Sequence, residues 1–175
     1  WNVQEMGAIP NDSLEDSGAI QILIDAMPNG SVLLFPEGTY DVRNLRFDAR
    51  QRINILCHGA ILKRVGGATN TLIFDIEDST NISVEGWSLD SNCMTKFTWN
   101  GILRSTFVTF RSNYFFDSNP QPPTTDTYGI VCRIDDIGTT TSKDIYIVDS
   151  YFDRANVECD MVERLVVRNN VFINT

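Results

Sequence analysis

VTFRSNYF, residues 108–115, decides the fold. Val108 and Phe110 sit two residues apart, the alternation of a strand with one buried face. Ser112 and Asn113 follow, residue types that favour turns, and the apolar pattern resumes and closes on Phe115. Two short strands meeting at so brief a polar corner must face different neighbours.

The layout recurs. INILCHGAI (53–61), ISVEGWSL (82–89), IYIVDSYF (145–152) and LVVRNNVF (165–172) each place apolar residues at i and i+2, with a polar corner after them. The last three, like residues 108–115, end on a large apolar residue at i+7. The five copies start at 53, 82, 108, 145 and 165, spaced by 29, 26, 37 and 20 residues. Repetition at the length of one supersecondary unit marks a solenoid rather than a sandwich. A further strand precedes each late copy: LIFDIED (72–78), NGILRS (100–105), GIVCRID (129–135) and NVECDMV (156–162). Two or three short strands per turn, joined by polar corners, describe an all-β parallel β-helix. Each turn then pairs with the next at about 4.8 Å. LLFPEGTYDV (33–42) reads the same way, its Pro36-Glu37-Gly38-Thr39 corner carrying the chain from one face of a coil to the next.

One segment reads as helix. In DSGAIQILIDAM (16–27), Ile20, Leu23, Ile24 and Met27 form one apolar stripe. Asp16 or Ser17 can cap its start, and Pro28-Asn29-Gly30 ends it. The expected organisation is an N-terminal strand and capping helix over 1–30, which covers the mouth of the coil. Coils follow over 31–175 and are still repeating at Thr175.

Composition narrows the function. With 175 residues and 42% hydrophobic content, the chain suits one domain with a sizeable core. No apolar run approaches the roughly 18 residues that indicate a membrane helix. No basic-plus-apolar leader is visible, and the sequence opens on Trp1. The net charge of −9 argues against nucleic acid as a partner, because phosphate binding needs clustered Lys and Arg. Cys57, Cys93, Cys132 and Cys159 show no CxxC spacing and there is one His, which excludes a zinc signature and points to buried thiols.

The N-terminal residues carry a family resemblance. NVQEMGA, then DSGAIQILIDAMPNGSVLLFPEGTYDV, resembles the opening signature of the pectin-lyase-like right-handed β-helix superfamily, and INILCHGAILKR is similar to its next element. The resemblance covers about the first 65 residues. It implies a right-handed β-helix and one of several activities: polygalacturonase, other glycoside hydrolase, polysaccharide lyase or phage tailspike. The sequence departs from the signature at Met6 and in AIPNDSLED. Of the polygalacturonase motifs it retains only an Asp-Asp, Asp135-Asp136, with no Gly-His-Gly and no Arg-Ile-Lys. His58 lies in an early scaffold strand and reads as structural.

Chemistry is expected on the outer face of the sheet formed by the preceding strands. With Phe74, Ile76, Ile130, Cys132, Ile134, Val157, Cys159 and Met161 inward, the outward set is Asp75, Glu77, Arg133, Asp135, Glu158 and Asp160. Paired carboxylates are what glycoside hydrolysis needs. Asp135 with Glu158 or Asp160 is the expected acid/base pair, and Asp75 and Arg133 are expected to bind substrate. The same acids could hold Ca²⁺ or form a solvated face, and all three readings stay open. Tyr114, Tyr151 and Trp99 are candidates for a sugar platform, whereas Phe115, Phe152 and Phe172 recur at one coil position as a core stack. Pro- and Thr-rich residues 117–129 and 138–143 are expected to wall the acidic stripe.

Two function classes follow. One is a carbohydrate-active β-helix that binds and cleaves a surface glycan. It would be a phage tailspike or tail-fibre segment on a virion, or a secreted extracellular hydrolase or lyase. The other is an adhesive or structural β-helix without catalysis. The tailspike resemblance implies a homotrimer or a longer chain.

Overall fold

The structure, a computed structural model, describes residues 1–65, 73–92, 101–118, 141–159 and 162–174, and the backbone alone of 128–133. The chain is a right-handed parallel β-helix with an N-terminal capping helix. Among the described residues three parallel sheets run along the coil axis. The first holds Val32–Phe35, Gln51–Cys57, Thr80–Glu85, Thr106–Arg111, Lys143–Val148 and Glu163–Arg168. The second holds Gly38–Val42, Ala60–Arg64, Ser88–Asp90, Tyr114–Phe116, Tyr151–Asp153 and Val171–Ile173. The third holds Leu45–Asp48, Phe74–Glu77, Gly101–Leu103, Tyr128–Arg133 and Asn156–Cys159.

The sequence repeat is the register. Ile53, Ile82, Val108, Ile145 and Leu165 are successive partners along the first sheet, as are Leu33, Ile55, Val84, Phe110, Ile147 and Val167. Tyr40, Leu62, Leu89, Phe115, Phe152 and Phe172 align along the second. Period-two alternation sends these columns inward, and all are buried except the residues of the last coil. Phe115, Phe152 and Phe172 stack at 4.7 Å, the strand spacing itself. The expected core stack is therefore present. Phe152 is fully buried, but Phe172 on the last coil is 42% exposed.

The corners explain the polar residues between the paired strands. Asn113 accepts from Trp87 N at 2.8 Å and donates to Val84 O at 3.2 Å, so its amide substitutes for a missing strand partner. Asn170 does the same for Ser150 N and Ile147 O one coil further on. Ser112, Asp149 and Asn169 take left-handed backbone conformations at these corners. At the equivalent corner Gly86 is required, since a Cβ there would fall 2.6 Å from Cys57 O. Between the third and first sheets a serine ladder runs through the turns. Ser79 N donates to Ser105 Oγ at 3.0 Å and Ser105 N to Ser142 Oγ at 3.3 Å, while the Ser79 and Ser105 hydroxyls donate to Phe47 O and Ile76 O.

The N-terminal residues close the coil on all three sheets. Asn2 pairs with Leu34, and Trp1 O accepts from Leu34 N. Asn11 exchanges hydrogen bonds with Thr39, and Glu15 pairs with Asp41. The helix, Ser17–Ala26, lies over Leu45–Asp48 and buries Ile20, Leu23 and Ile24, with Met27 just beyond its end also buried. Its start differs from the expected cap. Asp16 is the N-cap residue but makes no side-chain cap bond. Its carboxylate instead accepts from Ile9 N at 2.8 Å and Asp41 N at 3.2 Å, and Ser17 Oγ accepts from Arg43 N at 2.7 Å. The donors of an otherwise open sheet edge win these side chains, because an unpaired buried N–H costs more than an uncapped helix turn open to water. Among the described residues no helix is long and apolar enough to cross a membrane.

Candidate active site on the third sheet

Two register columns of the third sheet carry the outward acids Asp75 and Glu77. The first runs Arg46, Asp75, Gly101, Val131, Glu158; the second runs Asp48, Glu77, Leu103, Arg133. The acidic stripe expected from the sequence is thus interrupted. The Gly101–Leu103 coil contributes no carboxylate to it, so Asp75 and Glu158 stand three strands apart, about 14 Å. Asp135, Asp160 and Trp99 lie outside the described residues, and Arg133 is described only as a position on its strand. Of the expected groove walls, residues 119–127 and 138–140 also lie outside them. Tyr114 and Tyr151 belong to the second sheet, a different face, where their rings meet edge-on at 5.3 Å and Tyr114 stacks on Phe116.

What the fold does bring together is Asp75 with Glu77. They are two residues apart on one strand, on the same outward face, with Cα atoms about 7 Å apart. Glu77 accepts from two guanidinium groups: Arg46 Nη2 at 3.0 Å from one oxygen, and Arg104 on the other. Arg104 is itself oriented by Asp78, whose carboxylate it contacts through Nε and Nη2 at 2.8 Å each. That fork pulls the Asp78 carboxyl below its usual range.

Asp75 has the opposite environment. It is 6% exposed, and its Oδ1 has no hydrogen-bond partner among the described residues. Burial, then the neighbouring charge of Glu77, pushes its pKa up from 3.8 to about 6; Arg46 and Arg104 oppose the shift. Its carboxyl leans over Gly101, where a side chain would collide with it. One buried carboxyl that holds its proton toward neutral pH thus sits beside a carboxylate clamped by two arginines. A raised acid next to an arginine-paired carboxylate is an arrangement suited to acid and base roles. A depression lined by Gln21, Asp25, Asn44, Arg46 and Asp48 continues from this pair toward the helix, and Gln21 there already bonds both Asp25 and the backbone of Arg46.

The Ca²⁺ reading finds no support in this cluster. Among the described residues no group of three or more His, Cys, Asp or Glu side chains is placed to hold a metal ion, and arginines occupy the positions that would neutralise Glu77. Cys57 is a buried thiol pushed well above its ordinary pKa by burial, and Cys132 and Cys159 are register partners on the third sheet. Cys93 lies outside the described residues.

Sequence alternation marks Asp75 as a substrate contact and Glu77 as outward, but does not single them out as a pair. The signal lies in FDIED, an acid at i and i+2 on an outward face, with Arg104 one coil later.

No protein-family model and no curated protein matches the chain. Solved structures do. An iota-carrageenase complexed to iota-carrageenan fragments superposes with a TM-score of 0.72 at 19% identity, over 98% of this chain and 40% of that one. The iota-carrageenase from A. fortis gives 0.62 at 18% identity, over 98% and 39%. PfbA, a surface adhesin of Streptococcus pneumoniae, gives 0.54 at 14% identity, over 98% and 62%. The chain spans about two fifths of the length of the carrageenases, and at these identities the likeness establishes the fold.

Proposed function

We propose that this chain is part of a carbohydrate-active β-helix protein that hydrolyses a polysaccharide at the outer face of its third sheet. The observation that carries the reading is the Asp75–Glu77 pair. Asp75, with its carboxyl raised to about 6, is the acid that protonates the departing glycosidic oxygen. Glu77, held by Arg46 and Arg104, is the carboxylate that activates water or attacks the sugar carbon. The depression beyond Arg46 supplies amide, carboxylate and guanidinium groups suited to sugar hydroxyls. Asp135 with Glu158 or Asp160 is the competing pair, with Arg133 as its substrate contact. The carrageenase likeness, together with the N-terminal resemblance, supports a polysaccharide substrate and action outside a cell or at a virion surface. It is equally compatible with a secreted hydrolase and with a trimeric tailspike segment.

The adhesin likeness supports the second reading, a β-helix that binds glycan without cleaving it. One experiment separates the readings. Reducing-end release is measured for the wild type, Asp75→Asn, Glu77→Gln and Glu158→Gln across a panel of neutral and anionic polysaccharides. Loss of turnover by two or more orders of magnitude in the first two variants, with Glu158→Gln active, supports the proposed pair. The reverse pattern transfers the chemistry to the Asp135–Glu158 pair. Binding without release by the wild type on every polymer supports the adhesive reading.

A further inference from the structure

The outer face of the first sheet carries a second feature, remote from Asp75 and Glu77. Thr109, Tyr146 and Val166 are successive register partners there, and so are Arg111, Val148 and Arg168 in the next outward column. These six residues line a shallow groove of about 300 Å³. Val148 is buried between the two arginines, whereas Arg111 and Arg168 are exposed and Tyr146 is half-buried.

The charge pattern of this face is unusual for the molecule. The chain carries a net charge of −9, yet neither Arg111 nor Arg168 has an ion-pair partner among the described residues. The nearby acids are committed elsewhere: Asp144 to Arg164, Glu163 to Lys143, and Asp149 to the Asn169 amide. Glu85 is the register neighbour of Arg111 on the side away from the groove and makes no ion pair with it. Two available guanidinium forks therefore stand two strands apart, about 10 Å, with a tyrosine ring in the adjacent column between them.

We infer that this groove is a binding site for an anionic glycan, a hexose chain bearing sulfate or carboxylate groups. Each guanidinium can grip one such group through a bidentate fork. Their separation suits charges on alternate sugars of a chain laid along the coil axis, and the apolar edge of Tyr146 and Val166 offers a surface for a sugar face. A neutral glycan would leave both arginines unused. Among the described residues no carboxylate lines the groove, so the role assigned to it is binding. It would hold the polymer on one face of the coil while the third sheet acts on another stretch, and in that respect it rests on the proposed hydrolase reading.

The test is calorimetric titration of the full chain with three probes: an iota-carrageenan tetrasaccharide for sulfate, a tetragalacturonate for carboxylate, and agarotetraose as the uncharged control. The wild type is expected to bind at least one anionic probe tenfold or more tighter than agarotetraose, and the preferred probe identifies the charged group. The double variant Arg111→Ala, Arg168→Ala is expected to lose that preference, while Glu77→Gln keeps it. Equal affinity of the wild type for the neutral and anionic probes overturns the proposal without reference to any variant. So does undiminished anionic binding by the double variant, or loss of the preference in Glu77→Gln alone, which would locate the anion on the third sheet.

Discussion

The carboxyl of Asp75 occupies the space in which a side chain on Gly101 would begin, since a Cβ on Gly101 falls 2.7 Å from Asp75 Oδ1. The two residues are register partners on adjacent strands, so glycine at 101 permits the buried orientation of the acid. Gly101→Ala should push the Asp75 carboxyl away from the position in which burial raises its pKa. The expected cost is about 1–3 kcal/mol of stability, typical of an overpacked contact. If Asp75 is the acid, turnover should fall more than tenfold and the alkaline limb of the pH–rate profile, set by loss of the Asp75 proton, should move toward lower pH. A Gly101→Ala variant with wild-type melting and an unmoved profile would show that the contact relaxes freely and positions nothing.

Asp75→Asn separates stability from catalysis. The folded chain binds the Asp75 proton more tightly than the unfolded chain, because the pKa rises from 3.8 to about 6 on folding. Stability attributable to this group is therefore present below about pH 4 and is lost as pH rises through 6. Above that range the buried charge costs up to about 3 kcal/mol. An asparagine at this position carries no such charge, so the variant should melt higher than wild type at pH 8 and close to it at pH 4. Melting curves at the two pH values check this directly, and a variant less stable than wild type at pH 8 contradicts the assigned environment. Gain of stability with loss of turnover is the expected signature of a strained functional acid.

The coil is legible in the sequence because its repeat is written in side chains that alternate every second residue. Val108, Ile145 and Leu165 align by pattern and align by register. The corner residues Ser112 and Asn113 are visible as polar, but their ladder bonding is not, since hydrogen bonds between turns depend on the axial stacking. The Ser79–Ser105–Ser142 ladder leaves the same faint signal, a serine just before the strands that start at Thr80, Thr106 and Lys143. The site is harder. Outward positions can be read from alternation, but which outward acids become buried cannot. Asp75 owes its burial to its surroundings on neighbouring coils, and the absence of a side chain at Gly101 is invisible to a reading of acids alone. Tyr114 and Tyr151 can be identified as partly exposed rings, while their sheet can only be assigned once the coil is closed.

The cap makes a sharp prediction. Leu23 is fully buried between the helix and the first coil, and the segment around it pairs the edges of all three sheets. Leu23→Asp places a carboxylate in that apolar layer and should cost more than about 4 kcal/mol. The released cap would expose Leu33, Phe35 and Phe47 and leave three unpaired strand edges. Aggregation on expression is the expected result, read as the soluble fraction against wild type. Ile22→Asp, on the exposed side of the same helix, is the control and should remain soluble.

At the opposite end the columns continue into residues that nothing described covers. Leu165, Val167 and Phe172 extend buried columns yet are 36%, 44% and 42% exposed, and Glu163–Arg168 has a strand partner on one side only among the described residues. An apolar cross-section bordered by free backbone groups is a template for pairing with another chain. The polypeptide of residues 1–175, prepared alone, should therefore associate in a concentration-dependent way. Phe172→Asp should oppose this twice, by removing the 4.7 Å stack on Phe152 from the contact surface and by setting a charge at its centre. Sedimentation velocity across a hundredfold concentration range makes the comparison. Wild type is expected to shift toward larger species and Phe172→Asp to remain closer to the monomer. A wild-type chain that stays monomeric throughout would mean that this end is covered by its own residues, and the exposed columns would then carry no associative role.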